Sequence, residues 1–296
     1  MFSLFHINIR SLNANHFKLQ QLLLTLNLNF DIIALSEIWS YNISMYRNLF
    51  QNYKFFYVLP DNSNVGGIVA YIRSSILVNE RNDIKSNLNY NSRECASESM
   101  FLELTKGDYR CILSSFYRHP NQNISKFTDL LDSIFQSALF AGKSCDYLVI
   151  GDSNVDLLKY DKNSEISRFI DMMIGYNFQP LSVIPSRFSN STATLIDHVF
   201  YRSNYKYNII NYDEIWSGML ITDITDHLAN FLILPTTKSQ VRESERPSTR
   251  LFTPRNKKLF SDKLNTYDWE GNLYSCTDVD IMYDRFSSIL FDAVEK

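Results

Sequence analysis

Apolar residues along the chain recur every second position in some segments and about every 3.6 positions in others, which predicts alternating strands and helices. Residues 2–9 alternate in the β manner and predict a first strand. Residues 13–28 carry apolar side chains at helical spacing and predict an amphipathic helix, with Asn13 or Asn15 as its cap. Residues 31–36 form a short apolar run typical of a buried strand. The chain therefore begins in the manner of an α/β protein.

The middle of the chain has the pattern of two β-hairpins. Residues 53–59 and 66–73 are strand-like and flank a polar turn, and residues 100–104 and 109–117 flank a Lys-Gly-Asp turn. Residues 79–98 are polar and poorly patterned, so we predict a loop there. The other predicted elements are helices over residues 124–140 and 165–174 and strands over residues 147–150, 177–184, 195–201, 207–212 and 228–234.

The patterned region ends near residue 235, where the character of the sequence changes. Residues 236–254 are polar and charged and contain two prolines, as linkers commonly do. Residues 255–296 return to helical spacing. We therefore expect one α/β domain over residues 1–235, a linker over residues 236–254, and a short helical tail over residues 255–296.

Composition and charge narrow the classes of function. A hydrophobic fraction of 45% in 296 residues is enough for a substantial core. The formal net charge of −3 excludes a protein that binds nucleic acid by bulk positive charge, but it leaves a local basic groove open. The four cysteines and five histidines show no spacing of a zinc site. No signal peptide or membrane-spanning segment is evident in the sequence, so we expect an intracellular protein with no membrane partner.

The segment 147–158 carries the most informative polar residues. A buried strand runs into Gly151, where the backbone is expected to turn sharply, and Asp152 and Asn154 follow at once. Residues two apart in an extended chain point the same way, so a carboxylate and a carboxamide would project together from the strand end. Such a pair can bind a hard cation or hold a water molecule. Gly-Asp-Ser-Asn is equally typical of a plain turn, and this segment alone leaves both interpretations open.

Further polar groups fall at the ends of other predicted strands. They are Asn8, Glu37, Asp197 and the pair Asp226 and His227. A hydrolase that acts on phosphodiesters needs a carboxylate for Mg²⁺, a group that activates water, and donors for the charge that develops on phosphorus. Magnesium keeps several of its waters and needs only one or two carboxylates, and Glu37 fits that requirement.

Seven motifs, in this order, resemble the endonuclease/exonuclease/phosphatase superfamily. They are Asn8-Ile-Arg-Ser-Leu12, Leu35-Ser-Glu-Ile-Trp39, Gly66-Gly67 with Ala70-Tyr71-Ile72, Tyr117-Arg-His-Pro120, Gly151-Asp-Ser-Asn-Val-Asp-Leu157, Thr194-Leu-Ile-Asp-His198 and Thr225-Asp-His-Leu228. Within the superfamily, residues 2–235 are most similar to the apurinic-site-type endonuclease domain of non-LTR retrotransposon polyproteins. The resemblance implies a four-layer α/β sandwich, with two β-sheets face to face and helices outside, and a site at one edge where loops converge.

The resemblance also implies roles at the metal and water side of the site. Glu37 would bind Mg²⁺, or Mn²⁺ in its place, assisted by Asn8, and Asp226 would be a further ligand of metal or water. Asp152 would orient or deprotonate the attacking water, while Asn154 would hold that water or the phosphate.

On the phosphate side, the resemblance implies that His227 contacts the scissile phosphate and that Tyr117 donates its hydroxyl to it. Asp197 would orient the imidazole of His227, an arrangement that fixes a tautomer and raises basicity in any protein. His6, His16, His119 and His198 are interpreted as surface or packing residues. Four arginines near the expected site edge could contact DNA phosphates or could equally be solvated: Arg10, Arg73, Arg118 and Arg187.

The central motif departs from the superfamily at Ser153, where Phe is usual. Strand alternation points this side chain into the protein body, so a serine there would leave a hole or need a partner. The implied function is a DNA endonuclease that nicks target DNA, in the nucleus, for retrotransposon integration. No Tyr-x-Asp-Asp-like motif of a reverse transcriptase follows in the 296 residues. A phosphoesterase acting on a phosphoinositide or RNA, and a catalytically silent remnant, remain alternatives.

Overall fold

The structure is a computed structural model. It describes residues 1–40, 42–60, 65–86, 97–140, 145–189, 192–203, 214–236 and 254–294. The chain divides into two compact units: Met1–Asp171 with Phe178–Arg242, and Met172–Asn177 with Glu243–Lys296. In the described part of the chain, no helix combines the length and the hydropathy needed to cross a membrane.

The first unit contains two six-stranded mixed sheets. Sheet one consists of β1 (Phe2–Asn8), β2 (Ile32–Ser36), β3 (Tyr53–Val58), β4 (Ile68–Arg73), β13 (Trp216–Leu220) and β14 (Ala229–Leu234), in the spatial order β13-β14-β1-β2-β4-β3. Only β1 and β2 are parallel, and every other neighbouring pair in this sheet is antiparallel.

Sheet two repeats this plan with other strands. It consists of β5 (Leu77–Glu80), β6 (Ser97–Lys106), β7 (Tyr109–Arg118), β8 (Asp146–Asp152), β9 (Gln179–Pro180) and β12 (Asp197–Arg202), in the spatial order β5-β6-β7-β8-β12-β9. Only β7 and β8 are parallel. A separate hairpin pairs β10 (Arg187–Ser189) with β11 (Thr192–Thr194).

The helices are α1 (Leu12–Leu26), α2 (Asn82–Ser86), α3 (Ile124–Phe140), α4 (Ser164–Gly175), α5 (Pro254–Asn265) and α6 (Val279–Val294). Three shorter helical turns lie at Ser44–Tyr46, Leu157–Lys159 and Glu270–Tyr274. Of these, α5, α6 and the turn at Glu270–Tyr274 belong to the second unit, where the Trp269 indole donates to the carbonyl of Leu264 at 3.0 Å.

Strand alternation sends one set of side chains between the two sheets and the other set towards the helices. From sheet one, Phe2 and Leu4 join Leu148 and Ile150 of sheet two in one fully buried cluster. Phe5 and the next alternate residues of β1 instead pack with α1. The helix side of sheet two packs against α3, where the Phe116 and Phe127 rings lie 6.2 Å apart. The four-layer α/β sandwich expected from the sequence is confirmed.

Several predicted elements differ from the structure. Within residues 79–98, predicted as a loop, β5 ends, α2 forms, and β6 begins at Ser97. Residues 177–184 contribute only the two-residue strand β9, and β10, β11 and β13 were not predicted. The cap of α1 is Ser11, whose Oγ accepts from the Ala14 amide at 3.3 Å, rather than Asn13 or Asn15. The predicted strand 207–212 and residues 237–253 of the predicted linker lie outside the described residues.

Candidate active site

The polar residues expected from the sequence gather where the layer between the sheets reaches one end of the strands. Asn8 continues the alternation that buries Phe2 and Leu4, and Asp152 continues the alternation of Leu148 and Ile150. Because all these side chains face the opposite sheet, the carboxamide of Asn8 meets the carboxylate of Asp152 across the layer, with Nδ2 donating to Oδ2 at 2.8 Å. The apolar core thus becomes polar at this end.

Gly151 shapes the segment that presents Asp152. It lies inside β8 at φ +135°, so the strand continues through Asp152 instead of turning at the glycine. A Cβ at this position would lie 1.8 Å from the carbonyl oxygen of Phe116 on the neighbouring strand. Only glycine permits that close approach.

Asn154 follows in the left-handed region, at φ 51°. Its amide donates to Asp152 Oδ1 at 3.0 Å, and its side-chain Nδ2 donates to the carbonyl of Arg118 at 2.7 Å. Asp152 is therefore held on both carboxylate oxygens, by Asn8 on one and by Asn154 on the other. Burial raises the pKa of Asp152, and the nearby negative charge of Asp197 raises it further.

His227 and Asp197 form the pair that the sequence predicts. His227 Nδ1 lies 2.7 Å from Asp197 Oδ2, and both side chains are buried. Burial alone would lower the pKa of His227, but the charge and hydrogen bond of Asp197 outweigh it and leave the pKa raised. Burial alone would raise the pKa of Asp197, but His227 leaves it lowered. Asp197 thus fixes the orientation of the imidazole and favours its protonated form, in which Nε2–H can donate to an anionic substrate.

Two residues that support this pair were missed from the sequence. Ser186 is fully buried and donates its hydroxyl to Asp197 Oδ2 at 2.8 Å. Thr225 Oγ1 accepts from the amide of His227 at 3.1 Å and donates to the carbonyl of Asn8 at 3.0 Å. Thr225 belongs to the Thr225-Asp-His-Leu228 motif, so its support of His227 could have been proposed from the sequence. No sequence feature pointed to Ser186.

Glu37 lies at the exit of β2 and contacts Tyr117, whose hydroxyl donates to Glu37 Oε1 at 3.2 Å. Burial raises the pKa of Tyr117, and the Glu37 carboxylate raises it further, so the hydroxyl keeps its proton. Glu37 is itself in the left-handed region at φ 56°, and its carbonyl accepts from the Ser11 amide at 2.8 Å. The amide of Trp39 donates to the carbonyl of Gly66 at 3.0 Å, which ties this loop to the Gly66-Gly67 motif.

Asp226 lies beside His227 but is engaged by two arginines. Its Oδ1 lies 2.8 Å from Arg10 Nη1, and its Oδ2 accepts from Arg187 Nε at 2.9 Å. His227 Nε2 lies 4.0 Å from Asp226 Oδ1. The pKa of Asp226 is lowered because the arginines outweigh the effect of burial, which alone would raise it. Arg10 and Arg187 therefore lie at the site, as the sequence suggested.

The other two candidate DNA-contacting arginines do not lie at an exposed site edge. Arg73 ends β4 opposite Tyr53, whereas the site lies at the Ile68 end of the same strand, where Ile68 pairs with Ser36. Arg118 is only 1% exposed and donates to main-chain carbonyls. Basic residues cannot be assigned to a surface from sequence alone, because burial depends on strand register.

The remaining histidines divide into buried and partly exposed residues. His6 and His198 are buried packing residues, as expected, and burial lowers the pKa of each to about 4. His16 lies against the rings of Phe17 and Tyr46. The ring of His119 lies 4.9 Å from that of Tyr117.

The side chain of Ser153 has a partner, as its predicted inward direction requires. It is 6% exposed, and its Oγ accepts from the amide of Val155 at 3.2 Å. The serine thus stabilises the turn after β8 through a short local bond.

The site has the donors and the charge that suit a divalent cation. Ligand atoms of Asp152, Asp197 and His227 all lie within 4.8 Å of one another. Asp197 Oδ1 is buried and has no hydrogen-bond partner among the described residues. The charge of Glu37 is a further cause of the raised pKa of Asp152. A buried excess of carboxylates is relieved by a cation, so the residues present fit one.

Comparison with solved structures gives the fold. The chain is similar to the endonuclease domain of TRAS1, a telomere-specific non-LTR retrotransposon, with a TM-score of 0.58 and 11% identity, over 78% of this chain and 96% of that one. It is also similar to Danio rerio TDP2 complexed with a single-strand DNA product, at 0.58 and 13%, over 79% of this chain and 99% of that one. The chain has the endonuclease/exonuclease/phosphatase fold.

The fold is shared by proteins that act on different substrates. A mannosyl-6-phosphatase of Bacteroides thetaiotaomicron matches with a TM-score of 0.54 and 11% identity, over 79% of this chain and all of that one, at 100%. No protein-family model and no curated protein matches the sequence. For an endonuclease/exonuclease/phosphatase fold, the substrate therefore has to be argued from the site itself.

Proposed function

We propose that this chain is a divalent-metal-dependent phosphodiester hydrolase that nicks DNA. The single observation that carries the proposal is the convergence of a carboxylate-held imidazole, His227 on Asp197, with Asp152, which is held on both oxygens. This arrangement offers a base and a cationic donor within one buried end of the sandwich. The motifs and the likeness to a retrotransposon endonuclease domain support DNA as substrate and retrotransposon integration as context.

The residues divide the reaction between them. Asp152 accepts a proton from the attacking water, whose oxygen forms a bond to phosphorus as the bond from phosphorus to the 3′-oxygen breaks. His227 donates through Nε2 to a phosphate oxygen as negative charge develops, and Asp197 stabilises the imidazolium. Tyr117 donates its hydroxyl to the phosphate in place of Glu37. The leaving 3′-oxygen takes up a proton from solvent water, so the products are a 5′-phosphate and a 3′-hydroxyl.

Glu37, Asn8 and Asp226 are the proposed metal-binding residues, and the carboxylate of Asp152 accepts from Asn8 Nδ2 at 2.8 Å. Mg²⁺ or Mn²⁺ would supply charge neutralisation at the phosphate and the leaving oxygen. Asp226 would have to share its oxygens with Arg10 and Arg187. We propose that these two arginines contact DNA phosphates beside the site.

Nicking of supercoiled plasmid in Mg²⁺ tests this function, with Asp152→Ala and His227→Ala as loss variants. Arg168→Ala, at an exposed ion pair with Asp129, is the matched control. We expect nicking by the parent and the control and none by the two loss variants. A folded parent that hydrolyses a small phosphomonoester but does not nick DNA would overturn DNA as substrate. No hydrolysis of either would overturn the enzyme proposal.

A further inference from the structure

Arg118, the last residue of β7, is a buried cation next to the candidate site. It is 1% exposed and is among the largest fully buried side chains of the described residues. A guanidinium taken out of water is costly unless its hydrogen-bonding groups are satisfied. The identity of its partners therefore shows what the side chain is built to hold.

Its partners include main-chain carbonyls of the loop after β8, which carries Asn154, and of the loop after β7. Nε donates to the carbonyl of Ser153 at 2.5 Å, and Nη2 donates to the carbonyl of Asn154 at 2.7 Å. Nη1 donates to the carbonyls of His119 at 3.2 Å and of Gln122. One planar guanidinium thus joins two successive carbonyls after β8 to the loop that follows β7.

The main chain of Arg118 also holds Asn154, because the Arg118 carbonyl accepts a hydrogen bond from Asn154 Nδ2 at 2.7 Å. Asn154 is in the left-handed region, which asparagine tolerates better than most residues, and the contacts with Arg118 stabilise it there. In that conformation its amide reaches Asp152 Oδ1. The placement of both Asp152 and Asn154 therefore depends on contacts that Arg118 makes.

We propose that Arg118 is a positioning residue: its guanidinium fixes the backbone of residues 153 and 154 and so sets the geometry of Asp152 and Asn154. It contacts no substrate. This inference rests on the proposed function for its kinetic consequence, but its structural consequence can be measured without activity. Misplacement of a reacting group by about 1 Å can lower turnover about 100-fold, so the effect falls on kcat rather than on KM.

The kinetic test is a double-mutant cycle between Arg118→Ala and Asn154→Ala in the nicking assay. We expect each single variant to lower kcat, by about 100-fold for Arg118→Ala, with KM changed less than about threefold. The double variant should be no slower than the slower single variant, because both changes act on the same loop. Millimolar guanidinium should partly restore Arg118→Ala and should not restore Asn154→Ala. Additive losses, or a loss confined to KM, would overturn the inference.

A second buried arginine provides the control for a merely structural role. Arg81 is 5% exposed and pairs with Asp83 and Glu103. Arg81→Ala should lower thermal stability and leave kcat within about threefold of the parent. If Arg81→Ala lowers kcat as much as Arg118→Ala does, Arg118 acts through the fold and the inference fails. Arg118→Lys keeps the positive charge but lacks the planar guanidinium. It replaces Arg118→Ala in the double-mutant cycle if Arg118→Ala does not fold.

Hydrogen–deuterium exchange supplies the readout that needs no activity. In Arg118→Lys, we expect faster exchange of the amides of residues 153–155 than in the parent, while the strands of sheet one exchange at the parental rate. This result would support positioning even if the parent nicks no DNA, and the proposed function would then fail on its own. Unchanged exchange at residues 153–155 would overturn the inference.

Discussion

Two buried histidines next to the candidate site make the stability of the fold depend on pH. His6 and His198 are 0% and 3% exposed, and burial lowers the pKa of each from 6.5 to about 4. His6 Nε2 lies 2.9 Å from Ser36 Oγ, and His198 Nε2 lies 3.0 Å from the carbonyl of Val155. The Nδ1 atom of each ring has no hydrogen-bond partner among the described residues. The folded chain therefore holds both rings in the neutral form, with one N–H each, at neutral pH.

Stability falls with decreasing pH because the two histidines have a lower pKa in the folded chain than in the unfolded chain. Below pH 6.5 the histidines of the unfolded chain take up protons, but those of the folded chain do not until pH approaches about 4. The free energy of unfolding therefore has its full value above pH 6.5 and falls as pH decreases towards 4. One pKa unit corresponds to about 1.4 kcal/mol. Each histidine therefore lowers the free energy of unfolding by about 3 kcal/mol over the whole pH range, and by about 2 kcal/mol at about pH 5.

His198→Phe removes one of these titrations and keeps an aromatic ring beside those of Phe169 and Phe200. Urea unfolding in EDTA would be measured at about pH 7.5 and about pH 5. We expect the variant to lose about 2 kcal/mol less than the parent between the two conditions. Phe169→Leu disturbs the same ring cluster without removing a titratable group, and it should lose as much as the parent. An equal loss in His198→Phe and in the parent would refute the reasoning.

Three further predictions concern single side chains. Gly151→Ala should destabilise the fold by about 3 kcal/mol or more in urea unfolding, because its Cβ would lie 1.8 Å from the Phe116 carbonyl oxygen. At Gly107 a Cβ would meet no atom within 4 Å, so only the left-handed φ of +59° opposes Gly107→Ala. We expect this control to lose about 1 kcal/mol of unfolding free energy. Glu37→Gln should abolish the rise in melting temperature that Mg²⁺ produces in the parent, and a parental rise would contradict its metal role. Tyr117→Phe should lower kcat about tenfold with KM little changed, and an unchanged kcat would exclude the proposed donation to phosphate.

The sandwich was predictable because its strands carry strong patterns. Residues 147–150 form an apolar run that the structure places in β8, and residues 124–140 coincide with α3. Short strands at the margins were not predictable, because two or three residues carry no measurable period. The strand β9 has two residues, and β10 and β11 have three each. The strand β9 pairs with β12, which lies further along the chain, whereas β10 and β11 pair with each other as a local hairpin.

The direction of a site side chain could be predicted where strand alternation sets it. It could not be predicted for a long side chain, which can extend into solvent or be buried in the interior. The pairing of Asp197 with His227 was implied by the family resemblance, and the chemistry of imidazole and carboxylate made it physically sensible. Arg118 could not be placed, because a guanidinium at a strand end is exposed in most proteins. Here several main-chain carbonyls, among them those of Ser153 and Asn154, make its burial tolerable. Ser186 gave no signal, because a serine in a polar stretch has no pattern to mark it.

Strand register links the fold of this chain to its chemistry. Asn8, Asp152 and Asp197 face one another because each continues a series of side chains that point between the sheets. A slip of one residue in β8 would turn Asp152 towards the helices and bring Ser153 into the site, so the carboxylate would lose Asn8 and become an unpaired buried charge. The apolar residues Leu148 and Ile150 would leave the core in the same slip. The contacts that exclude the wrong register are therefore those of the core, and the geometry of the candidate site follows from them.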